Sequence, residues 1–308
     1  MSFLTICLNP TLQKTLRFAS VAPGAVNRAI AHRLDASGKG INVTRVLTQL
    51  GKKAVHLTQL GGCLRPLFLS LCEQDGLSVE WTESESQIRF CYTTLTENDN
   101  NVTELVEESE PVAAGTEERL LKKFDALLAD NNPGFKTLII SGTKAAGFSG
   151  EIIPGMVQKA KEKGLRIILD IKGDDLKESL KHEPDIVKPN LLEFASTFTP
   201  ELIRDNDILP GEKSKELIKS VMAELTQKHR CIIILTNGSR KILAAAKNNF
   251  CEIDPEPEIF KTVNTTGCGD AFTAGLASAD TEDFIAAIKE GMRCGALNAS
   301  LLRPGVIR

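Results

Sequence analysis

Thr137-Leu138-Ile139-Ile140 and Cys231-Ile232-Ile233-Ile234-Leu235 are the two runs on which the fold turns. Neither alternates apolar with polar residues, as a strand with one wet face does. Both are bounded at strand length, and a run of that kind buried on both faces belongs to a central parallel strand covered by helices. The surroundings repeat the theme. Short β-rich runs at 3–8, 54–60, 136–141, 166–170, 186–188 and 231–236 alternate with helical patterns at 39–50, 64–75, 117–130, 150–163, 212–229, 270–279 and 282–302. This alternation predicts an α/β sandwich. Ligands of such sheets bind beyond the carboxyl ends of the strands, and Gly142, Lys172, Asn190 and Asn237 closely follow predicted strands.

Two stretches, 11–35 and 87–112, break the alternation. They read as polar-faced strands and turns with no helix between them, as in Arg89-Phe90-Cys91-Tyr92-Thr93-Thr94-Leu95-Thr96 followed by a turn at Glu97-Asn98-Asp99-Asn100-Asn101. Antiparallel hairpins fit that spacing. A parallel core has no place for them, so they predict a small β lid assembled from two excursions; an irregular sheet edge with no moving part is the alternative.

The composition is that of an ordinary globular protein: 308 residues, 42% hydrophobic and 25% charged,. A net charge of −3 supplies no electrostatic footprint for nucleic acid or an anionic membrane,, so any bound phosphate must be held by a local cluster. The opening residues lack a basic leader, and no run approaches the roughly 18 apolar residues of a membrane helix. A cytoplasmic location is expected. Eight cysteines without a C-x-x-C pair are expected to be reduced and buried, and four dispersed histidines to lie at or near the surface without forming a metal site,.

The segment richest in chemistry is Val263-Asn264-Thr265-Thr266-Gly267-Cys268-Gly269-Asp270-Ala271-Phe272-Thr273-Ala274-Gly275. Two close glycines let the backbone turn its N–H groups onto an anion, and a helix beginning near Asp270 adds its positive end. A carboxylate there would repel phosphate unless it takes a proton from the group about to attack it, which is general base catalysis in phosphoryl transfer. Serving merely as a helix cap is the alternative for Asp270.

Three other stretches carry weaker signals. Asp35-Ala36-Ser37-Gly38-Lys39-Gly40-Ile41-Asn42-Val43 sets a lysine between glycines at a helix start, yet it is no Walker A loop because Gly40 stands where a hydroxyl would hold Mg²⁺,. Val187-Lys188-Pro189-Asn190-Leu191-Leu192-Glu193 spaces an amide and a carboxylate three residues apart, suited to Mg²⁺ or its waters or simply to an N-cap,. Ile234-Leu235-Thr236-Asn237-Gly238-Ser239 ends an apolar run in a tight turn that faces a nucleotide or is a plain β-turn into the hairpin partner 240–246,.

In order along the chain, Asn9-Pro10, Gly38-Lys39-Gly40-Ile41-Asn42-Val43, Lys188-Pro189-Asn190-x-x-Glu193, Thr236-x-Gly238 and Gly267-x-Gly269-Asp270 resemble the ribokinase-like PfkB carbohydrate kinases, in particular the 1-phosphofructokinase and tagatose-6-phosphate kinase branch. The likeness spans about 3–305. It implies a three-layer α/β/α sandwich with a mostly parallel central sheet and a small β lid, forming a single kinase domain over 1–308. It implies ATP and Mg²⁺, with Asp270 as base and Gly267, Cys268 and Gly269 as the hole for the transferring phosphate. Lys188, Asn190, Thr236, Asn237, Gly238, Ser239, Gly267, Gly269 and Asn298 are expected toward ATP, and Asn190 with Glu193 toward the metal. Gln13, Gly38, Lys39, Gly40, Asn42, Arg89 and Asp270 are expected toward the sugar, Lys39 and Arg89 gripping a phosphate it already carries. A homodimer paired through the lid is also implied.

The sequence departs from the family pattern on the substrate side. Gln13 stands where the opening motif has aspartate, and Thr103-Glu104-Leu105-Val106-Glu107-Glu108-Ser109-Glu110-Pro111 lacks the asparagine and glycine of the usual lid motif; Asn264 and Cys268 are smaller changes. The expected reaction is phosphorylation of a ketohexose monophosphate, foremost fructose 1-phosphate to fructose 1,6-bisphosphate. Tagatose 6-phosphate, an unphosphorylated sugar or nucleoside, and a catalytically weak sugar-binding regulatory protein remain alternatives. A dinucleotide oxidoreductase fits least, since its glycines would follow the first strand.

Overall fold

The computed structural model describes all residues except 1, 99–100, 130–133, 206, 248, 256–260 and 280–282. The chain opens with β1 (Ser2–Ile6), departs into β2 (Thr11–Phe18) and β3 (Ala31–Ser37), and returns through α1 (Lys39–Gln49) to β4 (Lys53–Leu60); α2 (Arg65–Gln74) then leads to β5 (Ser78–Glu83). A second departure forms β6 (Arg89–Thr96) and β7 (Asn101–Val106). Then come α3 (Thr116–Leu127), β8 (Thr137–Ser141), α4 (Ile152–Glu162), β9 (Arg166–Asp170), α5 (Gly173–Ser179), β10 (Ile186–Val187) and α6 (Leu191–Phe198). A small hairpin, β11 (Ile203–Arg204) and β12 (Asp207–Ile208), precedes α7 (Glu212–His229), β13 (Ile232–Leu235), β14 (Ile242–Ala246), β15 (Asn249–Ile253), α8 (Cys268–Ser278) and α9 (Phe284–Ala299).

The large sheet runs β15-β14-β13-β10-β9-β8-β1-β4-β5. From β13 to β5 every pairing is parallel; β14 and β15 close one edge antiparallel. Alternate residues of each central strand enter opposite cores. Leu4, Ile6, Leu138, Ile140, Ile167, Leu169, Ile233 and Leu235 pack with side chains of α3, α4, α6 and α7. Phe3, Ile139, Ile168 and Ile234 pack with those of α1, α8 and α9. The result is helix, sheet, helix, and each such side chain is worth about 1.5–3 kcal/mol when fully buried.

A second sheet, β3-β2-β6-β7, gathers the two departures. Its hairpins are antiparallel as predicted, and β2 joins β6 in parallel, which fuses them into one sheet. Leu12, Ala36, Ile41, Leu60, Phe68 and Ile88 form a third core that anchors this sheet on α1, α2 and β4. Parallel order puts the carboxyl ends of β1, β8, β9, β10 and β13 at one rim, where the site lies.

Several local expectations are corrected. The predicted helix at 270 begins at Cys268, which puts Asp270 inside its first turn. β1, β10 and β13 end one or two residues earlier than predicted, at Ile6, Val187 and Leu235, whereas β8 and β9 end as predicted. The predicted turn residues 99–100, the helix end at 130 and the helix start at 282 lie outside the described residues. β5 was not predicted because it is an edge strand, Ser78-Val79-Glu80-Trp81-Thr82-Glu83, without the two-sided apolar run of its neighbours. Short α5 and α6, the polar β15 and the two-residue β11 and β12 also escaped detection.

His56, expected near the surface, is fully buried because β1 sets Thr5 opposite it, with the hydroxyl 2.9 Å from Nδ1. Burial and then Arg45 push its pKa down to about 3, so the ring is neutral. All eight cysteines are free; Cys7, Cys72, Cys91, Cys231 and Cys294 are buried as expected, whereas Cys63 is exposed. Among the described residues no helix is long and apolar enough to cross a membrane.

Candidate active site

Helix α8 starts from Gly267, whose φ of 82° is left-handed and whose added Cβ would lie 2.7 Å from the backbone N of Gly305. Only glycine satisfies both constraints. Cys268, Gly269 and Asp270 fill the first three helical positions, whose N–H groups a helix cannot satisfy internally. Cys268 N–H reaches the Thr265 carbonyl at 3.3 Å, and the amides of this first turn carry the positive end of the helix dipole. Asp270 makes no capping bond, which removes the alternative reading of it as a mere cap. Its Oδ2 instead accepts from Asn42 Nδ2 at 2.8 Å.

The Asp270 residue is only 6% exposed. Burial pushes its pKa up to about 7 against the pull of Lys39, with Asp170 adding to the rise and the Asn42 hydrogen bond and Lys188 opposing it. A carboxylate so poised exchanges a proton at neutral pH, which is what a general base needs.

Asp170, at the end of β9, was not singled out in the sequence. Its Oδ1 lies 3.4 Å from Lys188 Nζ and 3.6 Å from Lys39 Nζ. Its Oδ2 accepts from Ser141 Oγ at 3.1 Å and Thr273 Oγ1 at 3.3 Å. Burial works against its charge, yet Lys188 and Lys39 hold its pKa below the usual carboxylate range. Lys39 also reaches Glu193 Oε1 at 3.1 Å; burial opposes its charge, but Asp170 and Glu193 outweigh that and raise its pKa. Lys188 is buried below the first turn of α8, where a Cβ on Gly269 would approach its Nζ to 3.9 Å. The available sequence signal for Asp170 was an acid closing an otherwise apolar run.

Asn190 and Glu193 form a capping box. Asn190 Oδ1 accepts from Glu193 N at 2.7 Å, and Glu193 Oε2 from Asn190 N at 3.0 Å. A bridge between Asn190 and Thr236 sets the loop after β13 beside them, and Asn237 to Arg240 turn through Gly238 and Ser239 with a 2.9 Å backbone bond. Asn298 is placed behind the 267–270 turn. It is fully buried, with Nδ2 donating to the Thr266 carbonyl at 2.9 Å and Oδ1 accepting from Gly305 N at 2.7 Å and Val306 N at 3.2 Å. In this arrangement its polar atoms brace the turn. Asn264 does the same, binding the Leu302 carbonyl and Thr266 N.

Gly38 precedes α1 at its N-cap. A Cβ on Gly40 would fall 2.8 Å from both Cys7 Cβ and His56 Cε1, so Gly40 is there to let α1 lie on β1 and β4. From the second sheet, Gln13 Nε2 donates to Thr93 Oγ1 at 2.7 Å. Arg89 Nη1 donates to the Glu107 carbonyl at 3.0 Å, while its buried Nε has no hydrogen-bond partner among the described residues. On β7, the Glu104 carboxylate accepts from Thr266 Oγ1 at 3.0 Å, so the second sheet touches the 267–270 turn.

Comparison with known proteins places the whole chain among sugar-phosphate kinases of like fold. A tagatose-6-phosphate kinase of Staphylococcus epidermidis is 26% identical over 99% of this chain and 94% of its own length. Among solved structures, phosphofructokinase-2 of Escherichia coli in complex with substrates and products superposes with a TM-score of 0.82 at 20% identity, covering 97% of this chain and 94% of that one. A Thermotoga maritima protein described as a possible 1-phosphofructokinase gives 0.82 at 19% identity, covering 97% and 92%. Residues 6–305 match the pfkB family carbohydrate kinases, and the chain belongs to that family, whose members transfer phosphate to a sugar hydroxyl.

Proposed function

We propose that this chain is an ATP- and Mg²⁺-dependent cytoplasmic kinase, one catalytic unit over 1–308, that phosphorylates fructose 1-phosphate at its 6-hydroxyl to give fructose 1,6-bisphosphate. The observation that carries the proposal is a buried carboxylate, Asp270, set in the first turn of the helix that starts at Gly267 and held through Oδ2 by Asn42. With Oδ2 held by Asn42, Oδ1 of Asp270 takes the proton of the sugar hydroxyl. The hydroxyl oxygen bonds to the γ-phosphorus of ATP as the bond from that phosphorus to the ADP oxygen breaks. Charge spreading over the phosphoryl oxygens meets the amides of the 267–270 turn and the ammonium groups of Lys39 and Lys188. The proton leaves afterwards from Asp270 to solvent.

Mg²⁺ keeps several waters when bound, and the oxygens of Asn190 and Glu193, each with a lone pair beyond its capping bond, suit that water shell; the ion would neutralise phosphate charge. Arg89, with its unpartnered Nε, is the grip for the phosphate that the sugar already carries,. The turn at 236–239 lines the nucleotide, and Gln13 bonds a sugar hydroxyl. The second sheet acts as a lid that excludes water. Exposed Val21, Ile30, Leu105 and Val106 on and beside it are the surface through which two copies pair.

A second reading, tagatose 6-phosphate as acceptor, is favoured by the Staphylococcus epidermidis relative. ADP release measured across fructose 1-phosphate, fructose 6-phosphate, tagatose 6-phosphate, fructose and nucleosides separates these readings. The highest kcat/KM is expected with fructose 1-phosphate. A higher value with tagatose 6-phosphate establishes the second reading. Preference for an unphosphorylated acceptor, or binding of sugars without turnover, refutes both.

A further inference from the structure

Asn42 and Arg45 lie three residues apart on one face of α1. Arg45 is one of the largest fully buried side chains in the protein and is held on three sides. Its Nε donates to Asp75 Oδ2 at 2.8 Å, its Nη1 to Asn42 Oδ1 at 2.8 Å and its Nη2 to the Ala36 carbonyl. Arg303, from the segment after α9, donates to the same Asp75 oxygen and, at 2.8 Å, to Asp35 Oδ1. Asp35 is also held by Arg33 at 2.9 Å.

Charges buried this deeply cost several kcal/mol unless they are paired. The cluster is paired, but its direction matters more. A guanidinium carries only donors, so the Asn42 atom facing Arg45 must be the amide oxygen. The amide nitrogen must then face the other way, toward Asp270, where Nδ2 donates to Oδ2 at 2.8 Å. Ser37 Oγ also reaches the Asn42 oxygen, at 3.3 Å, but a hydroxyl can donate or accept, so it tolerates either orientation of the amide whereas Arg45 accepts only one.

We infer that Arg45, anchored through Asp75 by Arg303, is a positioning residue for phosphoryl transfer: it fixes the Asn42 amide so that its N–H holds one oxygen of Asp270 and leaves the other free for the sugar hydroxyl. This rests on the reading of Asp270 as the base. The groups that act electrostatically on Asp270 are Lys39 from α1, Asp170 from β9 and Lys188 after β10, with the thiols of Cys7 and Cys268 nearby. None of them changes in the variants below. Loss of the Asn42 hydrogen bond therefore moves the Asp270 titration upward, because that bond favours the ionised form.

The test is a double-mutant cycle on the full chain, with folding followed by circular dichroism. Arg45→Met is expected to lower kcat by about 10-fold, keep the KM for ATP within about 2-fold, and move the acid limb of the kcat profile up by about one pH unit. In an Asn42→Ala background the same change is expected to lower kcat no further, since the group it acts through is gone. Losses that multiply across the cycle, or an acid limb that stays in place, overturn the inference. If Arg45→Met does not fold, Asp75→Asn replaces it, with a smaller loss that Asn42→Ala again masks; an unmasked loss overturns the inference. Asp270→Asn serves as the reference. If it retains turnover, the base reading fails and takes this proposal with it, whereas an inactive Asp270→Asn together with an additive cycle removes the positioning role alone.

Discussion

A carboxylate as deeply buried as Asp270 resists ionisation, and what offsets this is one amide and two ammonium groups. Asp270→Asn is expected to lower kcat by at least about 10²-fold, the scale of a positioned base, with ATP binding unchanged in a titration; near-normal turnover would exclude Asp270 from the chemistry. The same residue bears on stability. An unfolded aspartate ionises near pH 3.9, whereas the folded group does so at about 7, so the folded state holds the proton more tightly. Asp270 thus contributes its stability in full below about pH 4 and loses it as pH rises through about 7. Asp270→Asn cannot ionise and should melt a few degrees above the wild type at pH 8, with the gap closing at pH 4. An equal gap at both pH values would show that Asp270 does not carry this penalty. Asp170 has the opposite sign, because its lowered pKa contributes stability above the ordinary carboxylate range that is lost as pH falls. Lys188→Met strands that carboxylate with Lys39 alone and is expected to cost about 3 kcal/mol in urea unfolding at pH 7; a cost below about 1 kcal/mol would mean that Lys39 suffices.

At the scale of elements, the first turn of α8 has two roles in the proposed reaction, presenting amides and holding the base, and both would depend on Gly267. Gly267→Ala puts a side chain into a left-handed residue, a cost of roughly 1–2 kcal/mol, and drives its Cβ into the Gly305 backbone 2.7 Å away. Activity should fall by more than about 10²-fold while the cost in unfolding stays at a few kcal/mol. A stability loss with turnover intact would separate the turn from catalysis. The elements also show what a sequence reveals. Gly267, Gly269 and Asp270 are contiguous, and the double-sided runs of β8 and β13 read directly as central strands. Asp170 and the chain from Arg303 through Asp75 and Arg45 to Asn42 were not legible, because their meaning lies in pairings between residues up to 268 positions apart, as in Arg303 with Asp35. Asn190 and Glu193 were legible as a spaced pair, but the spacing suits a cap and a metal equally, and only coordinates reveal the capping box.

Taken whole, the molecule sets two sheets at one rim. The large sheet supplies Asp170, Lys188 and, through α1 and α8, Asn42 and Asp270; the smaller one supplies Gln13, Arg89 and Glu104. They rest on a shared core around Leu12, Ile41 and Phe68, and at the far side Glu104 accepts from Thr266 beside the 267–270 turn. If that bond helps to close the second sheet over the transferring phosphate, nucleotide and sugar phosphate must favour the same closed arrangement, and each must raise the affinity for the other by an equal factor. The thermal shift with both ligands should then exceed the sum of the separate shifts by an amount reflecting about 1–3 kcal/mol of coupling. Measured with a non-hydrolysable ATP analogue and fructose 1-phosphate, the surplus should shrink in Glu104→Ala while each ligand alone shifts the variant as it does the wild type. Additive shifts in the wild type would mean that the two sheets bind their ligands independently, and a surplus undiminished in Glu104→Ala would place the coupling elsewhere along the rim.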